Sequence, residues 1–281
     1  MKLSIRNVIP LFVSFLMIST SSFAEDFYEA FEALDWQEGP KTQNILGIAT
    51  IFLPEDYVAL DIEETDKYLE LSQNRATLDR NFFGPMDSSW DGYFNFNKIG
   101  YVKDDDDIDA DDLLKQSKND QKLANEYRRE QGWSTLTILG WEYPPKYDSS
   151  NNRLEWAYLL LEDETNSELI NYETRILGRN GVMDVVLVTT PENLSTAVKE
   201  LKNNLSTFKF NPGEKYLEYK EGDRIAEFGL AALIAGGAAA VATKKGLWAM
   251  LGALLIGAKK FAVAIIIALF AGIASLFRRK K

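Results

Sequence analysis

Four consecutive segments alternate apolar and polar residues and are separated by short polar connectors, and no other feature restricts the fold so tightly. They are residues 133–143 (WSTLTILGWEY), 153–162 (RLEWAYLLLE), 168–178 (ELINYETRILG) and 182–190 (VMDVVLVTT). A period of two sends successive side chains to opposite faces of a strand, so each segment reads as a strand. Asn180-Gly181 between the last two is the favoured pair for a tight type I′ hairpin. Helical patterns flank this run. The acids of 104–112 lead into a helix over about 110–131. Thr190-Pro191-Glu192 opens another, with Leu194, Val198, Leu201, Leu205 and Phe208 on one face and Asn211-Pro212-Gly213 at its end. Sequential strands flanked by helices predict an α+β domain with a mostly antiparallel sheet.

The first half is less regular. Residues 26–38 predict a short amphipathic helix through Phe27, Ala30, Phe31 and Leu34, stopped by Gly39-Pro40. Residues 45–53 (ILGIATIFL) read as one buried strand ending at Pro54, 63–73 as a helix, and 81–92 as a loop. Residues 92–103 (GYFNFNKIGYVK) read as a strand bent near Gly100.

The two ends differ in kind from this middle. Lys2 and Arg6 precede an apolar core at 8–18, and Ser22-Phe23-Ala24 supplies a small-x-small site, so residues 1–24 are expected to be a signal peptide. An apolar core of this length is too short to span a bilayer. Residues 226–277 are expected to form a transmembrane helical anchor of one to three helices. Apolar blocks at 226–242, 246–258 and 261–277 are split by Lys244-Lys245 and Lys259-Lys260, and Arg278, Arg279, Lys280 and Lys281 follow as a basic cytoplasmic tail. Ala232, Gly236 and Ala240 recur four apart, a pattern that lets helices approach closely in lipid.

Charge divides the chain the same way. Of its 31 basic and 42 acidic residues, 21 and 41 fall within 25–226, which leaves that stretch at −20. Such a domain is repelled by nucleic acid and by anionic headgroups, so expected partners are another envelope protein or a cationic ligand, with the lipid bilayer at the anchor. Cysteine and histidine are absent. Disulfides, thiolate metal sites, Ser-His-Asp triads and histidine-ligated metals are thereby excluded, and no cofactor is expected.

What remains is carboxylate chemistry. The run at 104–112 offers Asp105, Asp107 and Asp109 as candidate metal ligands, but no EF-hand register fits. Starting from Asp105, Ala110 stands where glycine is needed and Gln116 where a bidentate glutamate is needed. A solvated helix N-terminus, with acids complementing the dipole, is the simpler reading. Glu142, Asp148 and Glu155 lie near Trp141, Tyr143, Tyr147 and Trp156, as a glycan hydrolase would require. In so acidic a domain such proximity also arises by chance. Arg179, at the tip of the last hairpin beside Arg175, is expected to pair with local acids, the alternative being contact with a partner, and Glu227 stands at the expected membrane entry.

The segments at 100–114 (GYVKDDDDIDADDLL), 140–148 (GWEYPPKYD), 153–157 (RLEWA), 171–181 (NYETRILGRNG) and 223–237 (DRIAEFGLAALIAGG) together resemble an uncharacterised bacterial family of membrane-anchored proteins, domain of unknown function 2167. The resemblance covers nearly the whole chain after residue 24. It implies an exported, membrane-anchored protein and supplies no activity or site residue. The expectation is therefore a protein of the bacterial inner membrane with a periplasmic domain of 25–222 and no catalytic residues, acting as a binding or interaction module. The alternatives are an envelope glycan hydrolase and an acidic divalent-cation-binding module.

Overall fold

The computed structural model describes residues 21–105 and 107–235. In chain order its first half contains α1 (Ser21–Glu32), β1 (Gln37–Glu38), β2 (Lys41–Ile45), β3 (Ala49–Leu53), β4 (Tyr57–Leu60), α2 (Ile62–Leu71), β5 (Arg80–Pro85), β6 (Asp91–Asn97) and α3 (Ala110–Glu130). The second half contains β7 (Leu136–Asp148), β8 (Arg153–Glu162), β9 (Ser167–Leu177), β10 (Val182–Thr189), α4 (Leu194–Leu205), β11 (Lys209–Phe210) and α5 (Leu230–Ile234). The four alternating segments are β7 to β10, paired in sequence order at one side of an eight-stranded antiparallel sheet, β1-β4-β5-β6-β10-β9-β8-β7. The pairing of β10 with β6, from Val182 opposite Asn97 to Val188 opposite Asp91, joins the two halves of the chain. The α+β class with a mostly antiparallel sheet is thus what the chain adopts.

Alternation decides what each face carries. Phe94, Ile170, Tyr172, Ile176, Met183, Val185 and Leu187 point to one side, where Leu194, Ala197, Leu201 and Leu205 of α4 cover them. A second sheet, β11-β3-β2, closes that side with Ile45, Ala49, Ile51 and Leu53. On the opposite face Leu60, Phe82, Tyr93, Val186 and Val188 meet α1 and α2. Further along that face, α3 lies on β7 and β8. Trp141 stacks on Tyr158 at 4.6 Å and donates to the Ala110 carbonyl, Ser117 Oγ is 2.7 Å from Tyr158 Oη, and Asn125 brackets both backbone groups of Leu136.

Four local expectations change. Residues 45–53 are a hairpin rather than one strand. Leu46 and Gly47 take left-handed φ values of 53° and 70°, held by Asn81 Oδ1 on the Leu46 amide and Asn44 Oδ1 on the Gly47 amide. Residues 81–92 are not a loop, because Asn81 to Pro85 complete β5 against β6 and only the turn before Asp91 is irregular. The helix expected from residue 26 starts at Ser21 and ends at Glu32, short of Gly39-Pro40.

The Asn180-Gly181 hairpin forms, but not as a type I′ turn. Gly178 N–H donates to Gly181 O, which centres the turn on Arg179-Asn180, and neither Asn180 nor Gly181 is left-handed. Contacts from outside the hairpin override the local preference. Gly100 N–H donates to Asn180 O, Arg179 N–H to Glu214 O, and the Arg179 guanidinium grips Asp223 through two bonds of 2.7 Å. Gly181 is required for closeness: a Cβ there would lie 2.1 Å from Asn97 O.

The last turns of the described chain are bonded to the domain. Ala226 N–H donates to Tyr101 O, and α5 lies alongside α3 with Leu230, Leu233 and Ile234 buried. Among the described residues no helix is long and apolar enough to cross a membrane. Residues 236–277 of the expected anchor, with Gly236 and Ala240, and residues 1–20 of the expected signal peptide lie outside the described residues, whereas residues 226–235 of the expected anchor are described.

Candidate functional site

Between α2 and α3, over the sheet face that neither helix fully covers, lies a cleft of about 630 Å³. Small-molecule sites commonly fall between roughly 300 and 1,000 Å³. Alternation in β8, β9 and β10 supplies its apolar floor, Leu160, Leu169, Val186 and Val188. Leu69 of α2 and Leu123 of α3 line the walls, and Leu123 is 65% exposed.

Arginines from three elements reach the cleft. Arg75 comes from the loop after α2, which is organised from inside: Asp66 accepts from the amides of Thr77 at 3.1 Å and Leu78 at 2.8 Å. Arg128 stands in the last turn of α3, where a cation complements the helix dipole. Gly132 (φ 73°) and the bond from Trp133 N–H to Arg128 O then turn the chain back towards β7. Arg80 sits on β5, its Nε 3.4 Å from Asp79.

Aromatic rings link two of these cations. The Arg75 guanidinium lies 5.2 Å from the centre of the Tyr127 ring, Tyr127 packs edge-on against Trp133 at 5.8 Å, and the Arg128 guanidinium lies 5.8 Å from Trp133. Neither Arg75 nor Arg128 makes an ion pair among the described residues. Burial pushes the Arg128 pKa down from its ordinary value, and among the described residues the guanidinium donates only through Nε, to Ser134 O. In a stretch of net charge −20, no aspartate or glutamate among the described residues lines this cleft.

The residues singled out from the sequence lie elsewhere and do not converge. Asp109 caps α3, accepting from the amides of Asp111 and Asp112 at 3.2 and 3.1 Å. Asp105 and Asp107 are exposed, Asp106 lies outside the described residues, and among the described residues no group of three acids is arranged to hold a metal. Glu155 bonds Lys202 at 2.7 Å on the α4 side of the sheet, Asp148 closes its own turn through Ser150 and Asn151, and Glu142 is exposed on β7. The nearby aromatics are structural: Trp156 is buried, Trp141 anchors α3, and Tyr147 donates to Asp104. Arg175 pairs with Glu173 at 2.8 Å and Asp184 at 3.0 Å, and its guanidinium lies 4.8 Å from the centre of the Trp156 ring. Glu227 is exposed, and Ala232 falls within α5.

Two buried carboxyls stand out electrostatically. Burial raises Asp91 to about 6, against the opposing bonds from Tyr68 (2.7 Å) and Tyr93 (3.4 Å). Burial also raises Asp184 to about 6, outweighing the attraction of Arg175. Neither lines the cleft.

Sequence reasoning missed the cleft residues because they carry no local signal. Arg75 lies in a polar loop, and Arg128 reads as an ordinary charge in the last turn of a helix. The nearest thing to a signal is the aromatic–cation mixture at the end of α3, Tyr127-Arg128-Arg129 followed by Gly132-Trp133.

Comparisons with known proteins add no chemistry to this picture. The solution structure of cyanobacterial PsbP (CyanoP) from Synechocystis sp. PCC 6803 is similar over 64% of this chain and 94% of its own, at 12% identity and a TM-score of 0.38. The Saccharomyces cerevisiae Ran-binding protein Mog1p is similar over 62% of this chain and 96% of its own, at 9% identity and a TM-score of 0.31. A Bacteroides thetaiotaomicron protein matches 64% of this chain and 52% of its own, at 12% identity and a TM-score of 0.33. Likenesses this distant assign neither activity nor partner, and no curated protein matches the chain. The match that covers most of the chain, residues 37–270, is to the family described as "Protein of unknown function (DUF2167)", and the chain belongs to that family.

Proposed function

We propose that this protein is a membrane-anchored component of the bacterial envelope whose α+β domain lies in the periplasm and works by binding rather than by catalysis. The observation that carries this reading is the composition of the cleft. Its apolar floor is surrounded by arginines, aromatics and neutral polar side chains, and among the described residues no carboxylate or lysine lines it; its Thr77 and Tyr93 hydroxyls are spent on Asp79 and Asp91, which lie outside the lining. A hydrolase would need two acids facing one substrate, and the acids nearest the sheet aromatics are each engaged or exposed apart from one another. The acidic exterior suits contact with a basic face of another envelope protein, because it suppresses adsorption to nucleic acid and anionic lipid.

The location rests on the pattern at the two ends: the positive, apolar and small-residue order of residues 1–24, and the apolar blocks of 226–277 followed by the basic tail 278–281. Ala232 is taken up by α5 against the domain, and of the three small residues Gly236 and Ala240 would then be left to face a neighbouring helix in the bilayer. The test combines two measurements on the full chain. N-terminal sequencing of membrane-purified protein should begin at or near Glu25, and export-dependent reporters should be silent when fused after Lys281. A chain that begins at Met1, or a reporter active at the extreme C-terminus, refutes the location. For the binding reading, filling the cleft with Ala124→Trp should abolish retention of co-purifying ligands or partners while the domain stays folded. Unchanged retention would remove the cleft from the function.

A further inference from the structure

We infer that the cleft between α2 and α3 takes a single-chain amphiphile with one anionic head, a carboxylate or a phosphate. This rests on the cleft being the ligand site of the domain and goes further by naming the ligand's chemistry. The floor and walls offer mainly apolar side chains to the body of a ligand, Leu69, Leu160, Leu169, Val186 and Val188, with Asn171 and Gln121 among the polar ones. A polar or charged body would lose its hydration there without replacement.

The head follows from the arginines. Arg75 and Arg128 stand on different elements, each against the Tyr127–Trp133 pair; neither forms an ion pair among the described residues, and Glu162 acts on Arg128 only through its charge. Elsewhere in this domain acids engage Arg175 (Glu173 and Asp184), Arg179 (Asp223) and Lys202 (Glu155). With 41 acids among residues 25–226, a cleft that two guanidiniums enter and that no aspartate or glutamate among the described residues lines differs in sign from the surface around it. A guanidinium presents a planar fork of donors that matches carboxylate and phosphate oxygens. Among the described residues Arg128 spends only its Nε, on Ser134 O, which leaves its terminal nitrogens for a ligand. Two exposed leucines suit the passage of an apolar chain: Leu123 lines the cleft, and Leu78, 71% exposed, lies in the loop that carries Arg75.

The test uses the full chain in phosphatidylcholine nanodiscs, with empty discs subtracted for partitioning. Dodecanoate and dodecyl phosphate are the probes, dodecanol is the neutral counterpart, and acetate and inorganic phosphate are the heads alone. Saturable binding of either anionic probe is expected, with dodecanol at least about tenfold weaker. Each added methylene should tighten binding about fourfold until the cleft is full. Arg75→Gln with Arg128→Gln should weaken the anionic probe at least about tenfold and leave dodecanol unchanged, which a general loss of folding would not do. Dodecanol binding as tightly as dodecanoate, or the double variant binding dodecanoate like the parent, overturns the anionic head. The cleft then still stands as the site, provided that Ala124→Trp abolishes dodecanol binding. Acetate or phosphate competing as well as the long-chain probes overturns the amphiphile. Binding that survives Ala124→Trp, or no saturable binding of either anionic probe, overturns both this inference and the reading it rests on.

Discussion

Replacing Asp91 by asparagine should stabilise the domain at neutral pH. Asp91 is 3% exposed beneath α2, and its carboxylate accepts from Tyr68 at 2.7 Å and Tyr93 at 3.4 Å. Burial nevertheless outweighs those bonds and raises the group from 3.8 to about 6. At 1.36 kcal/mol for each tenfold change in proton affinity, the ionised form costs the folded chain about 3 kcal/mol more than the unfolded one. The raised carboxyl binds its proton more tightly when folded, so the penalty is absent below pH 4, grows between pH 4 and 6, and is complete above pH 6. An asparagine stands in for the neutral form and keeps an oxygen for Tyr68 to donate to. Urea unfolding of Asp91→Asn against the parent should therefore show a gain of about 1–3 kcal/mol at pH 7.5, shrinking to nothing at pH 4. A variant less stable than the parent at pH 7.5, with no convergence in acid, would mean that the tyrosine hydroxyls stabilise the ionised carboxylate more than burial penalises it. The account of this site would then be wrong.

Three further outcomes follow from the same geometry. Arg175→Ala removes the cation that Glu173 and Asp184 share while all three side chains are largely buried. Its cost should be about 3–5 kcal/mol at pH 7.5 by denaturant unfolding, falling below pH 6 as Asp184 takes up its proton. A fragment of residues 25–234 should melt above one of 25–222, since Asp223, the Ala226–Tyr101 bond and α5 are lost in the shorter piece. Arg179 holds the Asp223 carboxyl down to about 2, so that part of the difference is present above pH 4 and fades as pH falls through 2; equal melting temperatures at pH 7 would refute it. Gly181→Ala forces a Cβ to within 2.1 Å of Asn97 O and should cost about 1–3 kcal/mol, with chemical-shift changes confined to the β6–β10 end by NMR; an unperturbed melt would show that the hairpin can shift freely.

Elements whose information is local were legible before any coordinates. The four strands of 133–190 alternate because each has one face under α3 or α4, and their pairing in sequence order needs nothing distant. The helix over 110–130 announces itself through Asp109 and the acids of its first turn, and α4 through Leu194, Leu201 and Leu205. Chemistry excluded by missing residue types, cysteine and histidine, also needed no structure.

Tertiary structure decided whatever depended on residues far apart in the chain. Residues 45–53 look like one strand until Asn81, thirty-five positions away, bonds the Leu46 amide in a left-handed turn. Asn180-Gly181 favours a type I′ turn by itself, yet Gly100, Glu214 and Asp223 together hold it in another shape, because three hydrogen-bonded neighbours outweigh a local preference. Net charge argued for cationic partners, but a sum over the chain says nothing of where charges gather. Arg75 and Arg128 come together only because α2 and α3 settle on the same sheet face and Tyr127 and Trp133 lie between them. Periodicity reports which way a side chain points within its own element, and a cleft is made by the gap between two elements.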